Sequence, residues 1–96
     1  MRLTTIEQQA IHDAALRHFG VRPRLFGSRV DDSKRGGDID LYIEAAVPPE
    51  VGAMARIRMV ADIWGQIGER KIDVVVNSGG PNLPIYDVAK RDGVWL

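Results

Sequence analysis

Two hydrophobic periods divide the chain. Apolar residues at Ile6, Ala10, Ile11, Ala14, Ala15 and Phe19 recur at helical spacing. Thr4 and Glu7 stand at the spacing of a capping box, Thr5 with Gln8 offers a second frame, and Gly20 is suited to stop the helix. "RPRLF" then reads as a short strand, with Pro23 near its start, where a missing N–H is tolerated. A polar loop follows from Gly27 to Gly37, with Gly36-Gly37 shaping its end. Beyond it "DIDLYIE" alternates strictly: Ile39, Leu41 and Ile43 face one way, and Asp38, Asp40, Tyr42 and Glu44 face the other. Pro48-Pro49 leads into a second helix near Glu50, which carries Met54, Ile57, Val60, Ile63 and Trp64, with Trp64 expected in the core and Gly65 and Gly68 marking its end. "KIDVVV", Lys71 to Val76, is a buried strand by its β-branched density. "NSGGPNLP" is turn chemistry, and a last helix runs from about Ile85 to Arg91 before Gly93 and "VWL".

The order α-β-β-α-β-α predicts a single α+β domain over residues 1–96: a small mixed sheet with helices on one face and the other face partly free. A domain of 96 residues has little apolar surface to spare, so "VWL" is expected either to fold back or to leave a patch for a partner or for self-association.

Composition narrows the classes of function. Thirteen basic residues balance 13 acidic ones, so no global field draws the chain to an extended nucleic-acid or membrane surface. There is no cysteine, which excludes disulfides and thiolate zinc sites. The first twenty residues lack the continuous apolar region of a signal peptide, and no window reaches the roughly 20 apolar residues of a membrane span. The expected location is the cytoplasm.

Against that background the charged side of "DIDLYIE" stands out. Asp38 and Asp40 are two apart in an extended segment, so their side chains point the same way from Cα atoms roughly 6.5 Å apart. Carboxylates that close repel unless a cation lies between them, and Mg²⁺ suits a few carboxylates together with substrate phosphates. Asp73 in "KIDVVV" completes a trio if the two strands are neighbours, and three carboxylates can hold two metals. Upstream, Gly27 permits close backbone approach, Ser28 adds a hydroxyl, and Arg29 adds a bidentate donor for phosphate. Lys34 and Arg35 read as loop charges, and His12 and His18 as rim residues. Taken alone, Asp38 and Asp40 fit a solvated strand face, and Asp73 fits a pair with Lys71 or Arg70. Together with Gly27-Ser28 they read as a metal site for a nucleotide.

"FGSR" followed by "GGDIDL" resembles the minimal nucleotidyltransferases (MNT) of the DNA polymerase beta-like superfamily, whose pattern is Gly-Ser, a loop, Asp-x-Asp and a distant strand-borne Asp. Gly27, Ser28, Asp38, Asp40 and Asp73 match it position by position, although the loop from Arg29 to Gly37 is slightly shorter than the commonest family spacing and carries Asp31 and Asp32. The resemblance implies transfer of AMP from ATP to a hydroxyl, with Asp38, Asp40 and Asp73 as catalytic and Mg²⁺-binding residues and Gly27, Ser28 and Arg29 on the nucleotide. It also implies a HEPN-family toxin as partner, with a toxin tyrosine as acceptor and this chain as antitoxin. Two other readings stay open: an antitoxin that neutralises by contact alone, and one subunit of a small-molecule adenylyltransferase.

Overall fold

A computed structural model describes residues 1–31 and 37–96. Asp32, Lys34, Arg35 and Gly36, given loop roles above, lie outside the described residues.

The first helix, α1 (Thr5–Phe19), begins where the sequence signals it. The Thr4 hydroxyl accepts the Glu7 N–H, the Glu7 carboxylate accepts the Thr4 N–H, and Gly20 closes the far end in the left-handed conformation with φ +72°. Strand β1 (Arg24–Phe26) enters a 3₁₀ turn at Gly27–Arg29, and β2 (Ile39–Glu44) follows. Helix α2 (Pro49–Ile67) has proline at its first position, where no intrahelical N–H is lost. Then come β3 (Ile72–Asn77), α3 (Pro84–Asp92) and β4 (Val94–Trp95).

The strands form one mixed sheet in the order β3-β2-β1-β4. β1 runs antiparallel to both β2 and β4, whereas β2 and β3, joined through α2, are parallel. The fold is thus the expected α+β arrangement with a small mixed sheet. Its main core lies between the sheet and the first two helices, where Ile11, Ala14 and Ala15 of α1 and Met59 and Ile63 of α2 meet Leu25, Ile39, Leu41, Ile43 and Val74. Among the described residues, no helix is long and apolar enough to cross a membrane.

Two details differ from expectation and a third resolves a choice the sequence left open. Helix α3 does not join α1 and α2: Tyr86 and Ala89 pack on Phe26 and Tyr42 across the opposite face, because Phe26 and Tyr42 alternate with Leu25 and Leu41 and leave an aromatic surface there to be covered. The segment "VWL" pairs with β1 as β4, which buries Leu96 while leaving Trp95 53% exposed. Trp64 is 38% exposed and outside the core, its indole N–H donating to Arg70 O at 2.7 Å. A helix lying across a sheet hides one stripe only, and in α2 that stripe belongs to Gly52, Met59 and Ile63.

Candidate active site

The register of the central strands decides what the aspartates can do together. Asp40 of β2 is paired with Asp73 of parallel β3, and Leu41 with Val74. Leu41 and Val74 enter the core under α1 and α2, so Asp40 and Asp73 emerge on the opposite face, where Tyr42 packs. Neighbouring strands place their Cα atoms about 4.8 Å apart. Two acidic side chains in direct register on a single face are unfavourable as a structural pairing.

The electrostatics carry that mark. Partial burial, then the Asp73 charge, then that of Asp38 push the Asp40 carboxyl above its ordinary range, with Lys71 opposing. Asp38 sits just before β2 and not within it. Its carboxylate is 3.3 Å from Lys71 Nζ, both side chains being largely in solvent, and this contact raises the Lys71 ammonium. The structure therefore brings Asp40 and Asp73 together and engages Asp38 with a lysine. Among the described residues, no three carboxylate or imidazole groups gather as a set able to hold a metal ion.

The glycine-serine turn abuts this pair. Gly27 has φ +78°, and a Cβ there would lie 3.3 Å from Asp40 Cγ and overlap Asp40 Oδ2. Glycine is required twice over, for its left-handed backbone and for the approach of the turn to the carboxylate. Phe26, the preceding residue, is paired with Asp40 across the β1–β2 ladder, which brings the turn there. A cavity of about 490 Å³ opens beside the turn, lined by Gly27, Ser28, Val30, Val88 and Asp92 among others.

Arg29 and Arg2 latch the turn from behind. Arg29 donates through Nη1 to Arg2 O and through Nη2 to Gly37 O, both at 2.8 Å. Arg2 in return donates from its backbone to Arg29 O and from Nη2 to Ser28 O. The arginine expected on phosphate thus holds the two ends of the loop, and its guanidinium already serves two carbonyls. Arg2 and Lys71 were not singled out as site residues by the sequence reading. Lys71 was legible, since a lysine two positions before Asp73 on one strand shares its face; Arg2 gave no signal, because its role depends on the loop returning to the N-terminal segment.

Further along β2, Tyr42 donates to Glu44 at 2.6 Å and receives a hydrogen bond from Asn77 Nδ2 at 3.0 Å. Burial, followed by the Glu44 hydrogen bond, pushes the Tyr42 phenol up to about 12, so it stays neutral at physiological pH. Its ring packs on Tyr86, with centroids 5.8 Å apart. Tyr42 on the aspartate face is therefore a packing residue. His12 Nδ1 lies 3.0 Å from Leu96 O, and His18 Nε2 lies 3.0 Å from Asp62 Oδ2, both partly buried contacts that do not involve Asp38, Asp40 or Asp73.

The donor set fits a hard divalent cation. It offers oxygen alone, and the repulsion between Asp40 and Asp73 is the kind that such an ion relieves. Mg²⁺ is ordinarily held by one or two carboxylates plus substrate phosphates, and Asp40 and Asp73 are the residues that would hold it. No protein-family model matches the chain, and no curated protein matches it.

Proposed function

We propose that the protein is a Mg²⁺-dependent nucleotidyltransferase that moves AMP from ATP to a hydroxyl group. The observation that carries this reading is the register of Asp40 against Asp73 beneath the Gly27 turn. Asp40 and Asp73 would hold the metal, with Asp38 beside them, and Gly27 and Ser28 would border the phosphates. The metal, when bound, neutralises phosphate charge and lowers the pKa of the attacking hydroxyl. The hydroxyl oxygen bonds to the α-phosphorus, the bond from that phosphorus to pyrophosphate breaks, and the hydroxyl proton passes to Asp73.

The described residues form one small α+β domain, and the proposed acceptor is presented to it by another protein. In keeping with the MNT resemblance, the proposed acceptor is a tyrosine of a HEPN-family toxin, and the proposed setting is the cytoplasm. Incubation of the protein with such a partner, ATP and Mg²⁺ should add AMP to the partner, read as mass increments. Asp73→Asn should abolish them while the complex still forms. A partner that never gains mass would overturn the reading.

A second reading, neutralisation by contact alone, is favoured by one observation: Lys71 already pairs with Asp38, a ligand that catalysis would use. It predicts that Asp38→Asn and Asp73→Asn protect against the toxin as well as the parent does.

A further inference from the structure

At the other end of the same sheet face lies a cluster that the proposed reaction does not use. Trp95 on β4, Arg24 on β1 and Tyr42 on β2 stand side by side in register. The Arg24 guanidinium carbon is 4.0 Å from the centroid of the Trp95 ring and 5.9 Å from that of Tyr42. Arg22 approaches the same indole at 5.6 Å and donates through Nε to Leu96 O. Together with Val21 and Glu44 these residues line a cavity of about 480 Å³.

Arg24 is unusual in what it lacks. Its side chain is only 19% exposed, yet among the described residues its guanidinium makes no hydrogen bond. Its ion pair is a long one, with Glu44 Oε1 lying 3.9 Å from Nη1. Glu44 is held back by other partners: the Tyr42 hydroxyl at 2.6 Å and Lys90 Nζ at 3.1 Å. The guanidinium thus stacks on the Trp95 indole, is only loosely paired with Glu44, and lines the cavity. A stacked arginine in a purely structural role ordinarily makes a close, bidentate pair with a carboxylate or carbonyl, and Arg24 makes only the long contact to Glu44.

We propose that this cavity is a second ligand site, for an organic oxyanion carried on a flat body. A carboxylate or phosphate meets the Arg24 fork in two parallel hydrogen bonds, and the body lies against the exposed indole of Trp95 and the side chain of Val21. The volume falls within the range of about 300–1,000 Å³ typical of small-molecule sites. Arg22 and Arg24 outnumber Glu44 among the lining residues and favour an anion. The site is separate from the aspartate pair: Tyr42 stands two residues along β2 from Asp40, roughly 6.7 Å. The two ends of the face are also opposite in charge. This inference does not depend on the nucleotidyltransferase reading.

The test uses the intact chain with Trp64→Phe, which leaves Trp95 as the sole tryptophan, since the sequence has two. Its fluorescence is titrated with phenyl phosphate, benzoate and uncharged phenol. We expect a saturable change with at least one of the two anions, and which one responds identifies the headgroup. Arg24→Gln should weaken that binding about tenfold or more, the value of a charge-assisted bidentate contact. Arg24→Lys, which keeps the charge without the fork, should weaken it too and serves if the glutamine variant fails to fold. Glu44→Gln, which removes the only anion of the rim, should tighten it. No saturable response to either anion, an equal response to phenol, or unchanged affinity in both Arg24 variants would overturn the proposal.

Discussion

The two faces of the sheet are built from the same strands and behave as different materials. On one, Leu25, Ile39, Leu41 and Ile43 are fully buried beneath α1 and α2. On the other, Asp40, Tyr42 and Glu44 share the surface with Arg24, and α3 covers only the middle through Tyr86 and Ala89. Every second residue of β2 belongs to each face, so stability and chemistry interleave along one six-residue strand without sharing a side chain. Close packing can then hold the backbone rigid while like charges, only partly offset by Lys71, sit on the reverse, and the strain of the carboxylate pair falls on a backbone fixed from behind.

The sharpest way to break this division is from the sealed side. Leu41→Ala should cost about 2–5 kcal/mol, because the residue is wholly buried among both helices, and chemical denaturation will report it. Gly27→Ala strikes the open side. A side chain at φ +78° that also overlaps the Asp40 carboxylate should cost about 1–3 kcal/mol, and nucleotide binding measured by calorimetry should fall with it. A loss of stability with unaltered nucleotide binding would show that the turn and the carboxylate are independent.

Charge on the sealed side lies outside the buried core, where its effect should be smaller. Burial raises the Glu7 carboxyl, but the two Thr4 hydrogen bonds and the Arg70 guanidinium outweigh it and leave the group below its ordinary value. A depressed carboxyl contributes stability above its unfolded pKa and loses it as pH falls through the folded one. Denaturation midpoints should therefore drop on acidification below the ordinary glutamate range, and Glu7→Gln should flatten that part of the decline while costing about 1 kcal/mol at neutral pH. Asp40 has the opposite sign. Its carboxyl is raised, so the stability tied to it is full below the unfolded pKa and is lost as pH rises through the folded pKa. Asp40→Asn should consequently leave the protein slightly more stable at neutral pH, while Mg²⁺-dependent ATP binding disappears. A destabilised Asn variant would mean that the carboxylate has a structural partner.

Most of the frame was legible in local chemistry. The Thr4–Glu7 box, the Gly20 stop, the alternation of "DIDLYIE" and the proline entry to α2 all depend on neighbours within a few residues, and all appear as read. The expected neighbourhood of Asp40 and Asp73 appears too, since two apolar strands joined by a helix favour parallel adjacency. What could not be read was set by long-range geometry. The Asp38–Lys71 pair, the Arg29–Arg2 latch and the side of the sheet taken by α3 depend on which segments meet after folding. Trp64 was misjudged because an indole at helical spacing looks apolar in sequence, while in space it overhangs the sheet and uses its N–H on Arg70 O.

One feature of the architecture reaches beyond a single molecule. β3 is an edge strand, and "IDVVVN" contains one charge, Asp73. Bare edges of valine and isoleucine are templates on which further copies of a chain can add, and natural proteins deter this with a charged side chain. Asp73 is therefore also a gatekeeper of colloidal behaviour. A drift from aspartate to an apolar residue at this position would expose the cell to a stickier protein as well as an altered site. Purifying selection on solubility can thus preserve Asp73 even in a lineage where no reaction depends on it.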